Sequence, residues 1–577
     1  MIDYGDASMG WRVAELAIAC VSAFHYQPDW PLGVVDIVES FDVEVPLLDK
    51  EIDALWPLIV LRGATLVVSG EQQVAIDPEN HYARSARERE WMSFEVPAEF
   101  DWSVATEAIR LRLGRERSAH SCEGFEHSML PGSPTSNVID LGYASRSLSN
   151  GSWLMQPLAE ERRLLRAALS DGRVATTRFG ESRLTRSLVL DRSEPINVAL
   201  AIDLLVSNGP SEVAAPFGGE ATIIANAFVL VGETHSIFIE GMVRPRLGTV
   251  ASGEAIGETI ETLTVWLATN DRNLDVTRVP PHFVRRSEYL AWTRRFEDPT
   301  ALLGMAPSTL ELPVLALGLS RRNASYHPLQ SHYYSDPPQI ERGWREHLID
   351  VNARHYLDMV NNVTLLGHGH PKIAEVAADQ WRMLNTNSRF HYDAVTELSE
   401  RLLSTLPSSF DSVLLVNSGT EAVDLALRLT KAFSGREDVM CVTESYHGWS
   451  MAADAVSTSV SDNPRANETR PAWVHATPTP NAYRGRHRGP DAGPAYAADT
   501  IDEMRRHATG GRPIGTFIIE PRGGNAGAIE VPSHYLSAVF NEIRSGGGVC
   551  ISDETQVGFG RQGDVFWGFQ QHPGVVP

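Results

Sequence analysis

The chain has 577 residues, more than one hydrophobic core usually organises, and this length predicts about three domains. Its apolar content of 43% and charged content of 21% are typical of a soluble globular protein, and the net charge of −23 argues against nucleic acid or an anionic membrane surface as a partner. We predict no membrane-spanning segment and no signal peptide, because no apolar run has the necessary length and the start MIDYGDASMGWR lacks the required layout.

Cysteine and lysine usage adds two constraints. The four cysteines are scattered without disulfide-like or metal-like spacing, which predicts reduced thiols in a cytoplasmic protein. Three of the 50 basic residues are lysines, namely Lys50, Lys372 and Lys431. A reaction that needs a lysine amine therefore has few candidates in this chain.

Residues 1–114 are predicted to be mostly helical. The segments WRVAELAIACVSAF and LDKEIDALWPLIVLRGATLVV carry apolar residues at helical spacing, and WSVATEAIRLRLG closes the block. The stretch RERSAHSCEGFEHSMLPGSPTSN that follows is polar, with Gly, Pro and Ser, and is predicted to be a linker.

The middle and last thirds of the chain have different patterns. Residues 137–300 contain short β-branched segments between Gly, Pro and Asn turns, which predicts a mainly β domain that extends, with the linker, over 115–305. From residue 306 onward strands alternate with longer helical patterns, which favours a mostly parallel α/β sheet over 306–577. The fold class expected is multidomain α/β.

The segment DSVLLVNSGTEAVDLALRLTKAF predicts a buried strand, a tight turn at residues 417–420 and an amphipathic helix. The start of such a helix offers free backbone N–H groups and the positive end of the helix dipole, which suit a phosphate. Ser418 and Thr420 add hydroxyl groups, and Gly419 permits close approach. Plain helix capping by Ser or Thr explains the same residues equally well.

Three further strands are predicted to end on chemically useful side chains. DVMCVTESYHGWS delivers Tyr446 and His447, and an aromatic ring at this place could stack on a flat heterocycle. TFIIEPRGG ends on Glu520 and GGGVCISDETQ ends on Asp553. Carboxyl ends of parallel strands line the ligand crevice, where a carboxylate can bind a protonated pyridine nitrogen. Each acid alone could equally be a helix cap or half of a salt bridge.

Residues from about 330 to 577 resemble the class III aminotransferases, which are pyridoxal-phosphate enzymes of fold type I, and within them the branch of phospho-lyases typified by ethanolamine-phosphate phospho-lyase. The resemblance is carried by specific motifs: YLDMVNNVTLLGHGHP, LNTNSRF, NSGTEAVDLALRL, YHGW, PNAYRG and DETQVGFGRQGDVFWGFQ. It implies that pyridoxal 5′-phosphate is the cofactor and that intact members form homodimers.

The resemblance also implies roles for individual residues. Asp553 would pair with the ring nitrogen and Tyr446 would stack on the ring, and these two are the predicted catalytic residues. The other predicted cofactor contacts are Ser418, Gly419 and Thr420 at the phosphate, His447 and Glu520 beside the ring, and Gln556 at its 3-oxygen. The predicted substrate contacts are Asn361, Asn362 and Arg484, and Arg484 could hold a substrate phosphate with two hydrogen bonds.

The chain departs from the resembled family at one position. The Schiff-base lysine of that family follows the DETQ-type segment, and no lysine follows Asp553 here. Lys372 and Lys431 lie on helices elsewhere and are not expected to replace it. We therefore expect a chain truncated at both ends, whose activity on its own is in doubt.

The first domain resembles the C-terminal part of an aminoglycoside-phosphotransferase-like kinase. The start MIDYGDASMGWRVAELAIA would present Asp3 as a metal-binding aspartate for ATP phosphates, by that resemblance. ATP and Mg²⁺ would bind only in an intact kinase domain. An acidic N-terminal loop without function is the alternative for Asp3.

The β domain resembles an M23-type metallopeptidase module that has lost its metal. Asp203 stands at a ligand position of that module, whereas Ala199 replaces a ligand histidine and TLT (262–264) replaces a His-x-His pair. Zinc needs about three protein ligands, so we expect no zinc and interpret the module as a structural spacer.

The sequence thus predicts a pyridoxal-phosphate enzyme that, in intact form, acts on a small amine or a phosphorylated amino alcohol. Elimination of phosphate is favoured by the resembled kinase domain, which would supply the phosphate ester. Two alternatives stay open: amino-group transfer to a keto acid, and a catalytically inert binding or assembly unit.

Overall fold

The computed structural model describes residues 11–24, 26, 30–115, 125–132, 137–169, 174–187, 193–206, 210–270, 276–305, 315–361 and 365–577. The predicted metal residue Asp3, the predicted substrate residue Asn362 and one of the four cysteines, Cys122, lie outside these ranges.

The chain divides into two compact units. Unit 1 comprises residues 1–359 with 367–376, and unit 2 comprises residues 360–366 with 377–577. The described cysteines Cys20, Cys441 and Cys550 are free and buried, and burial raises the pKa of each thiol to about 12.

Unit 1 begins with five helices: α1 (Arg12–Ala23), α2 (Val35–Glu44), α3 (Asp49–Ile76), α4 (His81–Glu99) and α5 (Trp102–Arg112). Their apolar faces share one core, in which Leu16 of α1, Trp56 of α3 and Ile109 of α5 are almost completely buried. Asp101 caps α5 by accepting hydrogen bonds from two backbone N–H groups.

Helix α3 corrects the prediction that no segment could cross a membrane. Its 28 residues are long and apolar enough by length and composition alone, with a mean hydropathy of 1.6 over its most apolar window. A core helix can meet the same criterion, and in α3 Ile52, Leu55 and Ile59 belong to the core shared with α1 and α5, while 33% of its most apolar window is buried. This criterion is therefore weak support for a membrane span.

The β part of unit 1 has twelve described strands: β1 (Asn137–Val138), β2 (Val174–Thr176), β3 (Ile196–Ala199), β4 (Ile202–Val206), β5 (Ser211–Ala214), β6 (Gly219–Ile224), β7 (Ala227–Val231), β8 (His235–Val243), β9 (Gly248–Val250), β10 (Ala255–Thr269), β11 (Phe283–Arg285) and β12 (Phe296–Glu297). Ten of them form one sheet in the order β1-β2-β4-β10-β8-β7-β6-β9, with β5 and β12 also paired to β10, while β3 and β11 pair separately. The described pairs of the large sheet are antiparallel except β1 with β2.

The short β-branched segments of the sequence largely became these strands. The segment HSIFIEGMV coincides with β8, and its apolar residues enter a core with those of β4, β7 and β10. One exception is the β-branched segment that begins at Val138. Only its first residue lies in a strand, β1 (Asn137–Val138), and bends follow.

Asp203, in strand β4 of the β part, takes part in a buried ion pair. Arg183, whose side chain is fully buried, donates from Nη1 to Oδ2 of Asp203 at 2.7 Å and from Nη2 to Thr177 at 2.6 Å. Thr264, from the TLT stretch, donates to the other oxygen of Asp203 at 2.8 Å. Burial pushes the pKa of Asp203 upward, but the charge of Arg183, the interactions with His282 and the hydrogen bond from Arg183 together outweigh it, so the pKa lies well below its usual value.

The rest of unit 1 carries shorter elements: α6 (Ser152–Met155), α7 (Pro157–Ala168), α8 (Arg286–Trp292), α9 (Leu315–Ser325), and the antiparallel strands β13 (Ile340–Trp344), β14 (His347–Asp350) and β15 (His355–Leu357).

Unit 2 alternates strands and helices: α10 (Pro371–Met383, which starts in unit 1), α11 (Asp393–Ser404), α12 (Gly419–Ser434), β16 (Val439–Val442), α13 (Met451–Val456), α14 (Ala466–Thr469), β17 (Val474–Thr477), α15 (Ala492–Thr509), β18 (Thr516–Ile519), β19 (Arg522–Gly523), β20 (Ile529–Glu530), α16 (Tyr535–Ser545) and β21 (Val549–Ser552). Strands β17, β16, β18 and β21 form a parallel sheet in that order. Sheets across the described chain are therefore mixed and mostly antiparallel, with the predicted parallel sheet confined to unit 2.

The buried strand predicted over 411–417 was wrong. These residues have no regular secondary structure, and Leu414 and Leu415 are more than half exposed. A strand needs a neighbour for its backbone hydrogen bonds, and this segment pairs with none of the described strands of unit 2. The amphipathic helix predicted after it exists as α12.

Candidate functional site

A cavity of about 150 Å³ lies in unit 2, beside the start of α12 and beyond the carboxyl ends of β16, β18 and β21. A parallel sheet brings the ends of its strands to one edge, so residues distant in sequence meet there. The lining residues are Gly419, Thr420, Tyr446, His447, Gly448, Glu520, Asp553, Thr555 and Gln556. Seven of the eight predicted cofactor residues are among them.

Asp553 follows β21 directly and is buried in the cavity wall. Its Oδ2 lies 2.8 Å from Nδ1 of His447, and its Oδ1 accepts hydrogen bonds from the hydroxyl group of Thr555 at 2.6 Å and from the Thr555 N–H at 3.1 Å. Burial raises the pKa of Asp553, but the bonds from His447 and Thr555 outweigh it, and the net shift is downward. Asp553 is therefore held as a carboxylate.

His447 is the carboxylate's partner and is itself buried, with a side chain that is 0% exposed. Its backbone N–H donates to Ser457 at 2.8 Å, which fixes the position of the ring. Its Nε2 is buried and has no hydrogen-bond partner among the described residues. A buried polar atom of this kind is costly and marks a place where an added group would improve the site.

Two glycines keep the cavity open next to α12. A Cβ on Gly448, whose φ is +131°, would lie 2.6 Å from Oγ1 of Thr420, and a Cβ on Gly419 would lie 2.9 Å from Oγ1 of Thr555. Both positions therefore exclude side chains, and the backbone stays accessible at the start of a 16-residue helix. This is the local geometry of an anion site at a helix N-terminus.

Ser418 does not line the cavity. It is the N-cap of α12, and its Oγ accepts a hydrogen bond from the N–H of Glu421 at 3.1 Å. The capping alternative considered from the sequence therefore applies to Ser418, whereas Gly419 and Thr420 face the cavity.

Glu520 and Tyr446 lie together on another wall. Glu520 accepts hydrogen bonds from the backbone N–H of Tyr446 at 3.3 Å and of Gly524 at 2.9 Å. Burial raises the pKa of Glu520 and, with the charges of Asp462 and Asp454, also that of Tyr446. The site thus contains one carboxylate held ionised and one whose proton is held more firmly than usual.

The predicted substrate residues lie outside this cavity. Arg484 lines a second, larger cavity of about 650 Å³ together with Asn481, Tyr483 and Arg486. Its guanidinium lies 5.7 Å from the centre of the Tyr483 ring. Asn361 is exposed and lines none of the described cavities of unit 2.

The lysines of the described chain are also outside the cavity. Nζ of Lys431 lies 2.7 Å from Glu437 on the surface, and Nζ of Lys372 lies 3.1 Å from Glu375. None of the lining residues is a lysine.

The sequence did not predict that Thr555 belongs to the site, nor that position 448 has to be glycine for lack of space. Thr555 follows Asp553 by two residues and directly precedes Gln556. Its hydroxyl group donates a hydrogen bond to the carboxylate of Asp553, and an Asp side chain commonly bonds to the residue two positions after it. That spacing is the signal from which it could have been found.

The lining residues fit pyridoxal 5′-phosphate. An anionic Asp553 suits a protonated ring nitrogen, an aromatic side chain lies close by at Tyr446, and the backbone near Gly419 and Thr420 suits a phosphate. The orphaned Nε2 of His447 agrees with a site that is completed by a bound group.

Comparison with known proteins agrees with this chemistry. Residues 332–577 match the model of the aminotransferase class-III family. The chain is 38% identical over 253 residues to an alanine–glyoxylate aminotransferase 2-like protein of Drosophila melanogaster, which covers 43% of this chain and 51% of the relative. It is 32% identical over 263 residues to ethanolamine-phosphate phospho-lyase homolog 1 of Caenorhabditis elegans, which covers 43% and 55%.

A solved structure is similar over the same part. It is a phospholyase from Arthrobacter in complex with phosphoethanolamine, with 30% identity, a TM-score of 0.41, and coverage of 45% of this chain and 60% of the other. The chain spans about half the length of the curated relatives above. Residues 332–577 are thus similar to the class III aminotransferases, a family of enzymes.

Proposed function

We propose that unit 2 binds pyridoxal 5′-phosphate in the cavity around Asp553 and that the protein eliminates phosphate from a phosphorylated amino alcohol. When bound, the cofactor draws electrons from the carbon that carries the amine. That chemistry would let a phosphate on the neighbouring carbon leave as inorganic phosphate, and with water the products would be an aldehyde and ammonia.

The observation that carries the proposal is the set of contacts that hold the buried carboxylate of Asp553 at the cavity wall. Its two oxygens accept hydrogen bonds from Thr555 and contact His447, and these bonds hold its pKa down despite burial. A carboxylate in this state binds a pyridinium N–H and keeps that proton in place. A protonated carboxyl group would not.

The remaining lining residues are assigned binding and positioning roles. Gly419, Thr420 and the free N–H groups of α12 would hold the phosphate, with Ser418 fixing the start of the helix. Tyr446 would stack on the ring and Gln556 would bind its 3-oxygen. Glu520, beside Tyr446, would exclude water from that side of the cavity, and burial raises its pKa.

Two observations support a phosphorylated substrate. Arg484 and Arg486 line the 650 Å³ cavity of the same unit, and guanidinium groups bind phosphates with paired hydrogen bonds. One relative is named for ethanolamine phosphate. Asn361 and Asn362 are kept as further candidate contacts for the substrate.

Amino-group transfer is the second candidate, because another relative is named as an alanine–glyoxylate aminotransferase. The two reactions differ in their products. Release of inorganic phosphate from phosphoethanolamine without any keto acid supports elimination, whereas alanine formed only after addition of pyruvate supports transfer.

Whether this chain is active by itself depends on whether a lysine amine can reach the cofactor. Since no lysine lines the cavity, we expect reversible cofactor binding, and borohydride reduction should leave no cofactor fixed at Lys50, Lys372 or Lys431 in stoichiometric yield. Stoichiometric fixation at one of them would contradict this. A chain that binds the cofactor but releases neither phosphate nor alanine would be the inert binding unit considered above.

For the other parts of the chain we keep the predicted assignments. The five-helix bundle is proposed to be the end of a kinase domain that would use ATP and Mg²⁺ when intact, and the β part a spacer in which Arg183 takes the place of a cation beside Asp203. A cytoplasmic homodimer is the proposed state of the intact protein.

Cofactor titration tests the central claim. Pyridoxal phosphate is added to the 577-residue chain and followed by quenching of tryptophan fluorescence, with Asp553→Asn as the variant. We expect the dissociation constant to rise about 100-fold, since a charged hydrogen bond is lost at a buried site. The control, Asp502→Asn, alters an exposed aspartate of α15 in the same unit and should leave the constant unchanged. Equal binding by Asp553→Asn and the unaltered chain would refute the assignment.

A further inference from the structure

Tyr446 and His447 reach the cavity around Asp553 from a loop, residues 443–450, that connects β16 with α13. Glu444 has a φ of +63° and Gly448 has a φ of +131°, so the backbone is left-handed on both sides of the pair. A residue other than glycine keeps a positive φ only when the surrounding structure holds it there. The loop therefore depends on contacts from other segments.

Ser457, which directly follows α13, holds the backbone of His447. The N–H of His447 donates to Oγ of Ser457 at 2.8 Å, and the same hydroxyl group donates to the carbonyl oxygen of Ala453 at 2.8 Å. Ser457 is 4% exposed and His447 is 3% exposed, so both groups are shielded from water. A hydroxyl group that accepts one bond and donates another has a fixed orientation. The loop is thus tied to the end of α13 at His447.

Thr458 ties the same loop at a second point. Its Oγ1 accepts a hydrogen bond from the N–H of Ser445 at 3.0 Å and donates to the carbonyl oxygen of Val442 at 2.9 Å. Its own N–H donates to the carbonyl oxygen of Ser445 at 2.8 Å. Thr458 and Ser445 are both buried. The ties at Ser445 and at the residue after Tyr446 fix the backbone on both sides of the tyrosine.

The contact between His447 and Asp553 depends on this backbone. Nδ1 of the imidazole lies 2.8 Å from Oδ2 of the carboxylate. Hydrogen bonds weaken steeply as their angle departs from linearity, so a small displacement of the loop would weaken the contact. Without the hydroxyl group of Ser457 the buried N–H of His447 would lose its acceptor, which is costly, and the loop would move to find another.

We propose that Ser457 is a positioning residue of the cofactor site: its hydroxyl group holds the backbone of His447 so that the imidazole stays against Asp553. Thr458 supports the same loop at Ser445. Neither Ser457 nor Thr458 lines the cavity, so both act through the loop. The part of this inference that concerns cofactor binding rests on the proposed function, whereas the position of the imidazole is measured without cofactor.

The first measurement uses the 577-residue chain without cofactor, labelled with ¹⁵N in its histidines. The signals of His447 are identified by their loss in His447→Gln. In Ser457→Ala we expect its imidazole signals to shift and its backbone N–H to exchange with solvent about tenfold faster, because that N–H has lost its acceptor. The matched control, Thr500→Val, removes a buried hydroxyl group that lies 3.0 Å from that of Thr477 and 3.2 Å from that of Tyr535, and should leave both signals unchanged.

The second measurement titrates pyridoxal phosphate into the same variants and follows the quenching of tryptophan fluorescence. We expect Ser457→Ala to raise the dissociation constant about tenfold and Thr500→Val to leave it unchanged. Thr458→Val removes the acceptor of the Ser445 N–H and is expected to act in the same direction. It takes the place of Ser457→Ala in both measurements if that variant does not fold.

The inference is overturned if Ser457→Ala leaves the imidazole signals of His447 unmoved, or if it binds pyridoxal phosphate as tightly as the unaltered chain does. It is also overturned if Thr500→Val has the same effects, since any lost buried hydroxyl group would then suffice. If the unaltered chain binds no pyridoxal phosphate, the proposed function is refuted and the role in cofactor binding with it. The cofactor-free signals still decide in that case whether Ser457 positions His447.

Discussion

Asp203 in unit 1 and Asp553 in unit 2 are both buried aspartates whose pKa is lowered, and each has an imidazole nearby, His282 at 3.5 Å from Asp203 and His447 at 2.8 Å from Asp553; they differ in whether a buried guanidinium is also present. Asp203 accepts a hydrogen bond from the fully buried guanidinium of Arg183, which is permanently charged. Asp553 contacts an imidazole, His447, whose second nitrogen has no described partner, and a cavity lies next to both.

The difference separates a structural ion pair from a ligand site. In unit 1 the protein supplies its own cation, so the negative charge is already neutralised and nothing further is required. In unit 2 the carboxylate is kept ionised by weaker partners and faces open space, so it can bind a cation from outside. A lowered pKa therefore indicates a function only when the partners and the free space are known.

The largest effect is expected from Arg183→Met. Removing the cation leaves Asp203 charged and buried, and breaking such a pair costs about 3–5 kcal/mol of the free energy of unfolding. Urea unfolding of the whole chain measures the loss in unit 1. As control, Arg505→Met removes a 2.8 Å ion pair whose arginine is 64% exposed, and should lower the free energy of unfolding far less than Arg183→Met does. Equal losses would mean that burial does not distinguish the two pairs.

The second prediction concerns His355, which, unlike His447, has no partner for either ring nitrogen among the described residues. Burial, with a smaller contribution from His347, lowers its pKa from 6.5 to about 4. The unfolded chain therefore takes up the proton first. The contribution to stability is complete above about pH 6.5 and is lost as the pH falls towards 4, by at most about 1.4 kcal/mol per pH unit.

Urea unfolding at several pH values between 7 and 4 measures this dependence on the chain and on His355→Phe. The variant should show a flatter slope, and His391→Phe, at a side chain that is 81% exposed, should keep the original one. A slope unchanged by His355→Phe would assign the acid sensitivity to other groups.

Gly448→Ala tests the steric half of the cofactor site. The new Cβ would lie 2.6 Å from the hydroxyl oxygen of Thr420 and 2.9 Å from its Cα, so the backbone at the start of α12 must shift. We expect the dissociation constant of pyridoxal phosphate to rise about tenfold. The control Gly489→Ala places alanine at a similarly positive φ of +77° with nothing within 4 Å, and should bind normally.

Thr555→Val should have the smallest effect. It removes the 2.6 Å hydrogen bond to Asp553 while the bond from the backbone N–H remains, so the pKa of Asp553 rises only in part. Cofactor binding is expected to weaken about threefold to fivefold, because one neutral hydrogen bond contributes about 1 kcal/mol. Thr555→Ser keeps the hydroxyl group and should restore binding. If serine and valine behave alike, the hydroxyl has no part in holding Asp553 ionised.

Much of the site could be predicted because strand ends in a parallel sheet are readable from sequence. Glu520 and Asp553 each follow an apolar run directly, and both line the cavity. The contact between His447 and Asp553 could not be predicted in its geometry, since 106 residues separate them and only the packing of β16, β18 and β21 sets their distance.

Two features could not be predicted because they depend on contacts with distant segments of the chain. The apolar run at 411–417 satisfies the pattern of a strand, but a strand also needs a neighbour, and the described part of unit 2 offers it none. In unit 1 no sequence pattern linked Arg183 to Asp203, whose contact depends on the pairing of the sheet around β4.

The sequence by itself determined the chemical repertoire of this protein: which side chains are available, the order in which strands deliver them, and the scarcity of lysine. Those properties are local and depend on residue type and spacing. The tertiary structure alone decided which aspartate received an internal arginine and which one received a cavity, because charge neutralisation and free space depend on distances of a few ångströms between distant segments.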